Sequence, residues 1–293
     1  MTTVAFIGLG IMGGPMAANL VKAGFDVVGY NRSPQKIDNL VKAGGRGASS
    51  VSEAVKDAEI IITMLPDSPD VEEVALAKDG ILANAKPNSL YIDMSTIKPS
   101  TAMEIAKQAQ EKGFGVLDAP VSGGEQGAID ANLSIMVGGS ASDFEKAKPI
   151  FEAVGSTIVH VGPSGSGQTV KAANQLIVSG TIELVAEAIV FLEAYGVDTE
   201  SAVKVLAGGL AGNRILDRKA SSMLARQFKP GFRVELHHKD LGILTESARQ
   251  AQVIIPLGAL VSELMASLKA NGNGDLDHSA LLLGVERLCG RDK

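Results

Sequence analysis

Short runs rich in β-branched residues alternate with helical spacing through the first half of the chain. Val4 to Ile7, Val27 to Tyr30, Ile60 to Met64 and Leu90 to Ile92 read as strands, with apolar residues recurring three and four apart between them. The helix after the first strand is expected over Met12 to Ala23, with Gly24 at its carboxyl end. Such alternation predicts βαβ units and a parallel sheet. Gly115 to Asp118, Ser134 to Val137 and Thr157 to Val161 add three strands, with a helix over Ala141 to Ala153, and the sheet is expected to end near Val161.

Past the turn-rich stretch Gly162 to Gly167 the pattern changes. Val170 to Tyr195 contains no proline and one glycine, and is apolar nearly all the way round, which predicts a helix buried on every side. From Thr199 onward the spacing is helical, broken at Gly208-Gly209, Gly212, Pro230-Gly231, Pro256 and Asn271 to Gly274. The expected fold is therefore α/β: a doubly wound sheet over residues 1–163, then an all-α domain over 164–293, joined by a long central helix.

Composition narrows the function. A chain of 293 residues that is 45% hydrophobic exceeds one ordinary core, in keeping with two domains. Its net charge of −6 comes from 27 basic and 33 acidic residues with no basic stripe, which argues against nucleic acid as a partner. No apolar run approaches the ~20 residues that a bilayer requires, and Met1 to Phe6 enters a strand with no basic leader, so a cytoplasmic protein with no membrane partner is expected. The single Cys289 has no partner for an intrachain disulfide, and no metal site is expected.

Directly after the first strand stand Gly8, Leu9, Gly10, Ile11, Met12 and Gly13, a GxGxxG that opens a helix. In that context the glycines allow a tight turn, a close approach to a pyrophosphate and close helix–strand packing, and the helix start offers N–H groups to phosphate. An acid some 20 residues on would bind the ribose of NAD, but the second strand ends instead in Tyr30, Asn31, Arg32 and Ser33. A guanidinium with small polar neighbours suits a 2′-phosphate, so NADP(H) is expected over NAD(H).

Carbonyl reduction needs a proton donor beside the developing alkoxide. Lys171 and Asn174 lie three apart on one predicted helix, just past the glycine-rich bend. Periodicity alone leaves a snorkelling lysine and a catalytic one equally open. Asp118-Ala-Pro-Val-Ser122-Gly123-Gly124 follows a strand and offers a hydroxyl and backbone N–H groups at a second helix start, suited to a substrate carboxylate or serving as a simple turn.

Together, Gly8 to Gly13, Asp118 to Gly124, Gly167 to Asn174 and Lys239-Asp240 resemble the β-hydroxyacid dehydrogenases, the 3-hydroxyisobutyrate dehydrogenase-like family, over nearly the whole chain. The resemblance implies a Rossmann-type first domain, Lys171 as general acid, and Asn174, Ser122, Gly123, Gly124 and Phe232 as substrate contacts. It also implies Leu65, Pro66, Thr96 and Lys239 as cofactor contacts, and association into a dimer or tetramer. Gly208 to Gly212 and Asp277-His-Ser-Ala280 look most like the branch that reduces tartronate semialdehyde; branches acting on 3-hydroxyisobutyrate, succinic semialdehyde or glyoxylate remain alternatives. A dinucleotide-binding sensor without chemistry is the rival of another class, and an imine reductase ranks last, since those relatives usually lack a lysine at this place.

Overall fold

The computed structural model describes residues 1–291. Among them nine strands form one sheet: β1 (Thr3–Ile7), β2 (Asp26–Tyr30), β3 (Arg46–Gly47), β4 (Ile60–Thr63), β5 (Leu90–Asp93), β6 (Gly115–Asp118), β7 (Val121–Ser122), β8 (Leu133–Gly139) and β9 (Gly155–Gly162). Their spatial order is β3-β2-β1-β4-β5-β6-β8-β7, with β9 paired to β8. The interleaved helices are α1 (Gly13–Lys22), α2 (Pro34–Lys42), α3 (Val51–Val55), α4 (Ser68–Leu76), α5 (Ile81–Asn84), α6 (Pro99–Glu111), α7 (Gly124–Ile129) and α8 (Ala141–Glu152).

The central strands β1, β4, β5 and β6 are buried on both faces, and the two-residue side-chain period divides them between two cores. Val4 and Phe6, Ile60 and Ile62, and Leu90 and Ile92 enter one apolar cluster with Met16 and Leu20 of α1. Ala5 and Ile7, Ile61 and Tyr91 enter the other with Ile105 and Ala109 of α6. A one-residue slip in any of these strands would exchange its two sets.

The sheet is parallel from β3 to β6, as the alternation predicts. It then departs from that expectation: β8 runs antiparallel to both β6 and β7. The connection from β7 to β8 spans only residues 123–132, and a parallel crossover needs about a dozen residues or more. The two-residue strands β3 and β7 are too short to leave a periodic signal.

The remaining helices are α9 (Ser166–Ala194), α10 (Thr199–Ala207), α11 (Arg214–Leu224), α12 (Val234–Gln250), α13 (Pro256–Leu268) and α14 (Leu281–Leu288). The chain divides into two compact units, Met1–Lys171 and a second beginning at Ala172, so the division falls inside α9, whereas the sequence places it at 163/164. The second unit has its own core, in which Ile182, Ala186 and Ile189 of α9 meet Leu241, Met265 and Leu281.

Two expectations about α9 are corrected. The helix is long and apolar enough to cross a bilayer by length and composition, although no unbroken apolar run marks it. It is also not buried on every side: Ile177, Leu184 and Phe191, at intervals of seven, are 68%, 63% and 62% exposed, and Tyr195 extends the same stripe. All-round apolarity counts hydrophobic positions without showing what covers them, and only one side of α9 packs in its own unit.

Candidate active site

The chain leaves β1 outward through β2 and β3, then returns to β4 and proceeds the other way, so the sheet reverses its winding between β1 and β4. Ligands of open α/β sheets lie at the carboxyl ends of the strands at such a point. Two loops meet there. Gly8 follows β1 at φ +101°, and a Cβ on it would strike the Met64 carbonyl that follows β4. A Cβ on Gly13 would overlap the Gly8 carbonyl, whereas one on Gly10 would meet no protein atom within 4 Å. Packing thus demands glycine at 8 and 13 but not at 10, where a close-lying pyrophosphate would. No side chain caps α1; the Gly14 N–H is taken by the Gly10 carbonyl and Pro15 has none, so what this helix start offers phosphate is the backbone of the glycine loop just ahead of it, and the loop fits a dinucleotide. Leu9 is buried, while Gly10 and Ile11 are exposed at the helix start and Met12 lies between these extremes.

At the end of β2, Asn31 Oδ1 accepts the Leu9 N–H at 3.0 Å and so braces the glycine loop. Arg32 is exposed and lies 3.6 Å from Asp70 of α4, a loose surface pair of little energetic weight. Ser33 precedes α2 without a side-chain capping bond.

Buried polar groups link the ends of β4 and β5. Thr63 Oγ1 donates to Asp93 Oδ1 at 2.7 Å, and Tyr91 Oη lies 2.9 Å from the same hydroxyl. Asp93 Oδ1 also accepts the Ser95 N–H, and Ser95 Oγ accepts the Leu65 N–H at 2.9 Å. Leu65 and Thr96 are thereby brought to one end of the sheet, with Pro66 exposed beside them. Burial pushes the Asp93 carboxyl up to about 6, against the hydrogen bonds from Ser95 and Thr63, and its Oδ2 has no hydrogen-bond partner among the described residues.

The start of α9 is held from β6. Asp118 accepts the Gly165 N–H at 2.7 Å and the Gln168 N–H at 2.9 Å, acting as an N-cap supplied from a distant strand. Burial likewise raises its carboxyl to about 6, while those backbone bonds pull the other way. From the next turn of α9, Lys171 is 6% exposed and donates through Nζ to the Val121 carbonyl at 2.8 Å. The amine is thus turned inward against the Ser122-Gly123-Gly124 loop. The helix after that loop, α7, has only six residues, so what the loop offers an anion is hydroxyl and backbone N–H groups more than a helix dipole.

Within the second unit, Asn174 Nδ2 donates to Gln175 Oε1 at 2.7 Å, and Gln175 Nε2 donates to Asp240 Oδ2 at 2.6 Å. Lys239 Nζ lies 2.9 Å from Asp240 Oδ1 and forms an ion pair with it. Asn174 and Lys239 are therefore the two partly exposed ends of one polar chain whose middle, Gln175 and Asp240, is buried. Phe232 packs edge-on against His237 and His278, each ring centroid 5.5 Å away. Asp277 accepts the N–H groups of Gly231 and Phe232 and both Oδ atoms receive Lys219 Nζ, which fixes the turn carrying Phe232.

Sequence reasoning left Asp118, Gln168, Gln175 and Asp277 without roles, although each stands within or beside a motif. Their signal was polarity at positions that helical or strand periodicity assigns to the interior. Among the described residues no cluster of His, Cys, Asp and Glu could hold a metal ion.

Comparison with known proteins agrees with this architecture. Residues 3–162 match the NAD-binding domain of 6-phosphogluconate dehydrogenase, and residues 165–284 match a domain described as NAD-binding of NADP-dependent 3-hydroxyisobutyrate dehydrogenase. The chain is 42% identical to 2-hydroxy-3-oxopropionate reductase of Escherichia coli K12 over 98% of each chain. It is 38% identical to 3-sulfolactaldehyde reductase of the same organism over 99% of this chain and 98% of that one. The solved structure of Mycobacterium tuberculosis 3-hydroxyisobutyrate dehydrogenase with L-serine superimposes with a TM-score of 0.88 at 36% identity, covering 97% of this chain and 99% of that one.

The buried carboxyls carry a pH dependence. The Asp93 value of about 6 lies above the ordinary 3.8, so between roughly pH 4 and 6 the folded chain holds a proton that the unfolded chain has released. This contribution to stability is complete below about pH 4 and is lost as pH rises through about 6. Asp93→Asn removes it, so the stability of the variant relative to wild type is expected to rise from pH 4 to pH 6.5, by roughly 3 kcal/mol at most. Urea unfolding at a series of pH values measures the difference, and a constant difference would mean that Asp93 does not titrate in this window.

Proposed function

The chain is an oxidoreductase of the 3-hydroxyacid dehydrogenase family, that of 3-hydroxyisobutyrate dehydrogenase, and from that premise we propose that it reduces tartronate semialdehyde (2-hydroxy-3-oxopropionate) to D-glycerate with NADPH. The observation that carries this reading is the buried Lys171 amine turned toward the Ser122 loop. When bound, a reduced nicotinamide supplies hydride to the aldehyde carbon. Lys171, as an ammonium, stabilises the growing alkoxide and gives it a proton, while its bond to the Val121 carbonyl fixes the direction of the amine. Ser122 with the N–H groups of Gly123 and Gly124 receives the substrate carboxylate. Gly8 to Gly13, Leu65, Pro66 and Thr96 hold the cofactor, and the assignments of Asn174 and Phe232 to substrate and Lys239 to cofactor stand as proposals of the same kind.

The likeness to 3-sulfolactaldehyde reductase and 3-hydroxyisobutyrate dehydrogenase favours a second reading, in which the same chemistry acts on another short acid aldehyde. We expect kcat/KM for tartronate semialdehyde to exceed those for 3-sulfolactaldehyde and methylmalonate semialdehyde by at least about tenfold, roughly 1.4 kcal/mol. A reversed order would move the substrate and leave the reaction type. Lys171→Ala should lower kcat by about a thousandfold with NADPH affinity nearly unchanged. A chain that binds NADPH, reduces none of these aldehydes and is indifferent to that substitution would be a sensor instead.

The NADP preference rests on Arg32, whose weak pairing with Asp70 leaves the guanidinium available to a 2′-phosphate. Arg32→Ala is expected to raise KM for NADPH about tenfold and leave KM for NADH unchanged. Equal effects on both cofactors would return the preference to NAD.

The exposed stripe of Ile177, Leu184 and Phe191 is larger than scattered surface hydrophobes explain, and we assign it to a second copy of this soluble chain, which we place in the cytoplasm. Light scattering should give a dimer or tetramer, and Phe191→Glu should shift it toward monomer. A wild-type monomer at micromolar concentration would remove the assignment.

A further inference from the structure

We infer that Gln168 is a positioning residue that locks the loop Ser95–Ile97 to the helix turn carrying Lys171, an inference that rests on the reading of Thr96 and Lys171 just given. Gln168 is 1% exposed, and its side-chain amide spends both of its ends on one short piece of backbone. Nε2 donates to the Ser95 carbonyl at 2.8 Å, and Oε1 accepts the Ile97 N–H at 3.1 Å. A carbonyl only accepts and a backbone N–H only donates, so the amide has one orientation here. It grips the loop on either side of Thr96 much as a neighbouring strand would.

Both ends of this clamp are rigidly anchored. The Gln168 N–H is itself held by Asp118, and Lys171 follows three residues later on the same helix. On the loop side, Ser95 Oγ accepts the Leu65 N–H, so the link continues to the loop after β4. The backbone proposed to face the cofactor and the amine proposed to deliver the proton are therefore separated by a fixed path of short hydrogen bonds. Hydride and proton must arrive at one carbonyl group together, and small displacements of either donor are costly to rate. A leucine or methionine would fill the volume but leave the Ser95 carbonyl and the Ile97 N–H unpaired in the interior.

Gln168→Glu tests the clamp with little change of shape. As a neutral acid the new side chain donates to Ser95 and accepts from Ile97; as a carboxylate it has no proton to donate and faces the Ser95 carbonyl. Burial favours the neutral form at mildly acidic pH. We expect Gln168→Glu to lie within about threefold of wild type in kcat and in NADPH dissociation constant at pH 5.5, and to fall at least about tenfold below it by pH 8. Gln168→Met should be impaired across the whole range. A variant-to-wild-type ratio that is flat with pH for the glutamate, or wild-type behaviour of the methionine variant, overturns the inference.

Should the glutamate variant not fold at neutral pH, it is prepared at pH 5.5 and raised in pH, where loss that reverses on return supports the clamp. Failure to fold at pH 5.5 as well counts against it, because the neutral acid was expected to replace the amide. Fluorescence titration with NADPH separates this inference from the functional reading. If wild type reduces no short acid aldehyde, that reading fails, while the pH dependence of NADPH binding by Gln168→Glu still decides whether residue 168 holds the loop.

Discussion

The carboxylate of Asp118 at the end of β6 holds the first turn of α9, and the chemistry proposed above depends on that contact. A helix start has N–H groups without partners, and an acid placed there satisfies them and complements the local positive charge. Here the acid comes from a strand 47 residues upstream of Gly165, so the cap is also a tether between sheet and helix. One turn beyond the tether, Lys171 turns inward to the Val121 carbonyl. Without the tether, an amine on a long and largely apolar helix would have no fixed relation to the strand ends.

Such a tether brings charge and polarity into the interior. Asp93 and Asp118 are register partners on adjacent strands, both buried, and both have carboxyls shifted to about 6 chiefly by loss of solvent. Each is retained where it organises backbone: Asp93 the turn after β5, Asp118 the start of α9. Burying acids without compensating bonds is costly, so their backbone and hydroxyl partners are part of why the site keeps its shape. The second unit repeats the device, with Asp277 fixing the turn of Phe232 and Asp240 joining Gln175 to Lys239.

Family membership and substrate choice rest on different physics. In the proposed function the glycine loop, the tethered helix and the inward lysine would serve any short hydroxy acid alike, because they are assigned to phosphate, a carbonyl oxygen and a carboxylate. Relatives of comparable identity are named for 2-hydroxy-3-oxopropionate, 3-sulfolactaldehyde and 3-hydroxyisobutyrate. Discrimination among acids of this size turns on a few pocket side chains, each worth little in sequence identity.

The sequence by itself determined the alternation of strands and helices, the GxGxxG context after β1 and the change to an all-α second half. These follow from local spacing and glycine conformation, which a linear pattern records. Its spacing also marked Lys171, Asn174 and the Ser122 loop as candidates, to which only the family resemblance gave roles. Tertiary structure decided the rest: that β8 runs antiparallel, that one side of α9 is bare, that Asn31 braces Leu9, and that Asp118 and Gln168 grip residues far away in the chain. A hydrogen bond between residue 168 and residues 95 and 97 leaves no periodic trace, because its partners are brought together only by the winding of the sheet.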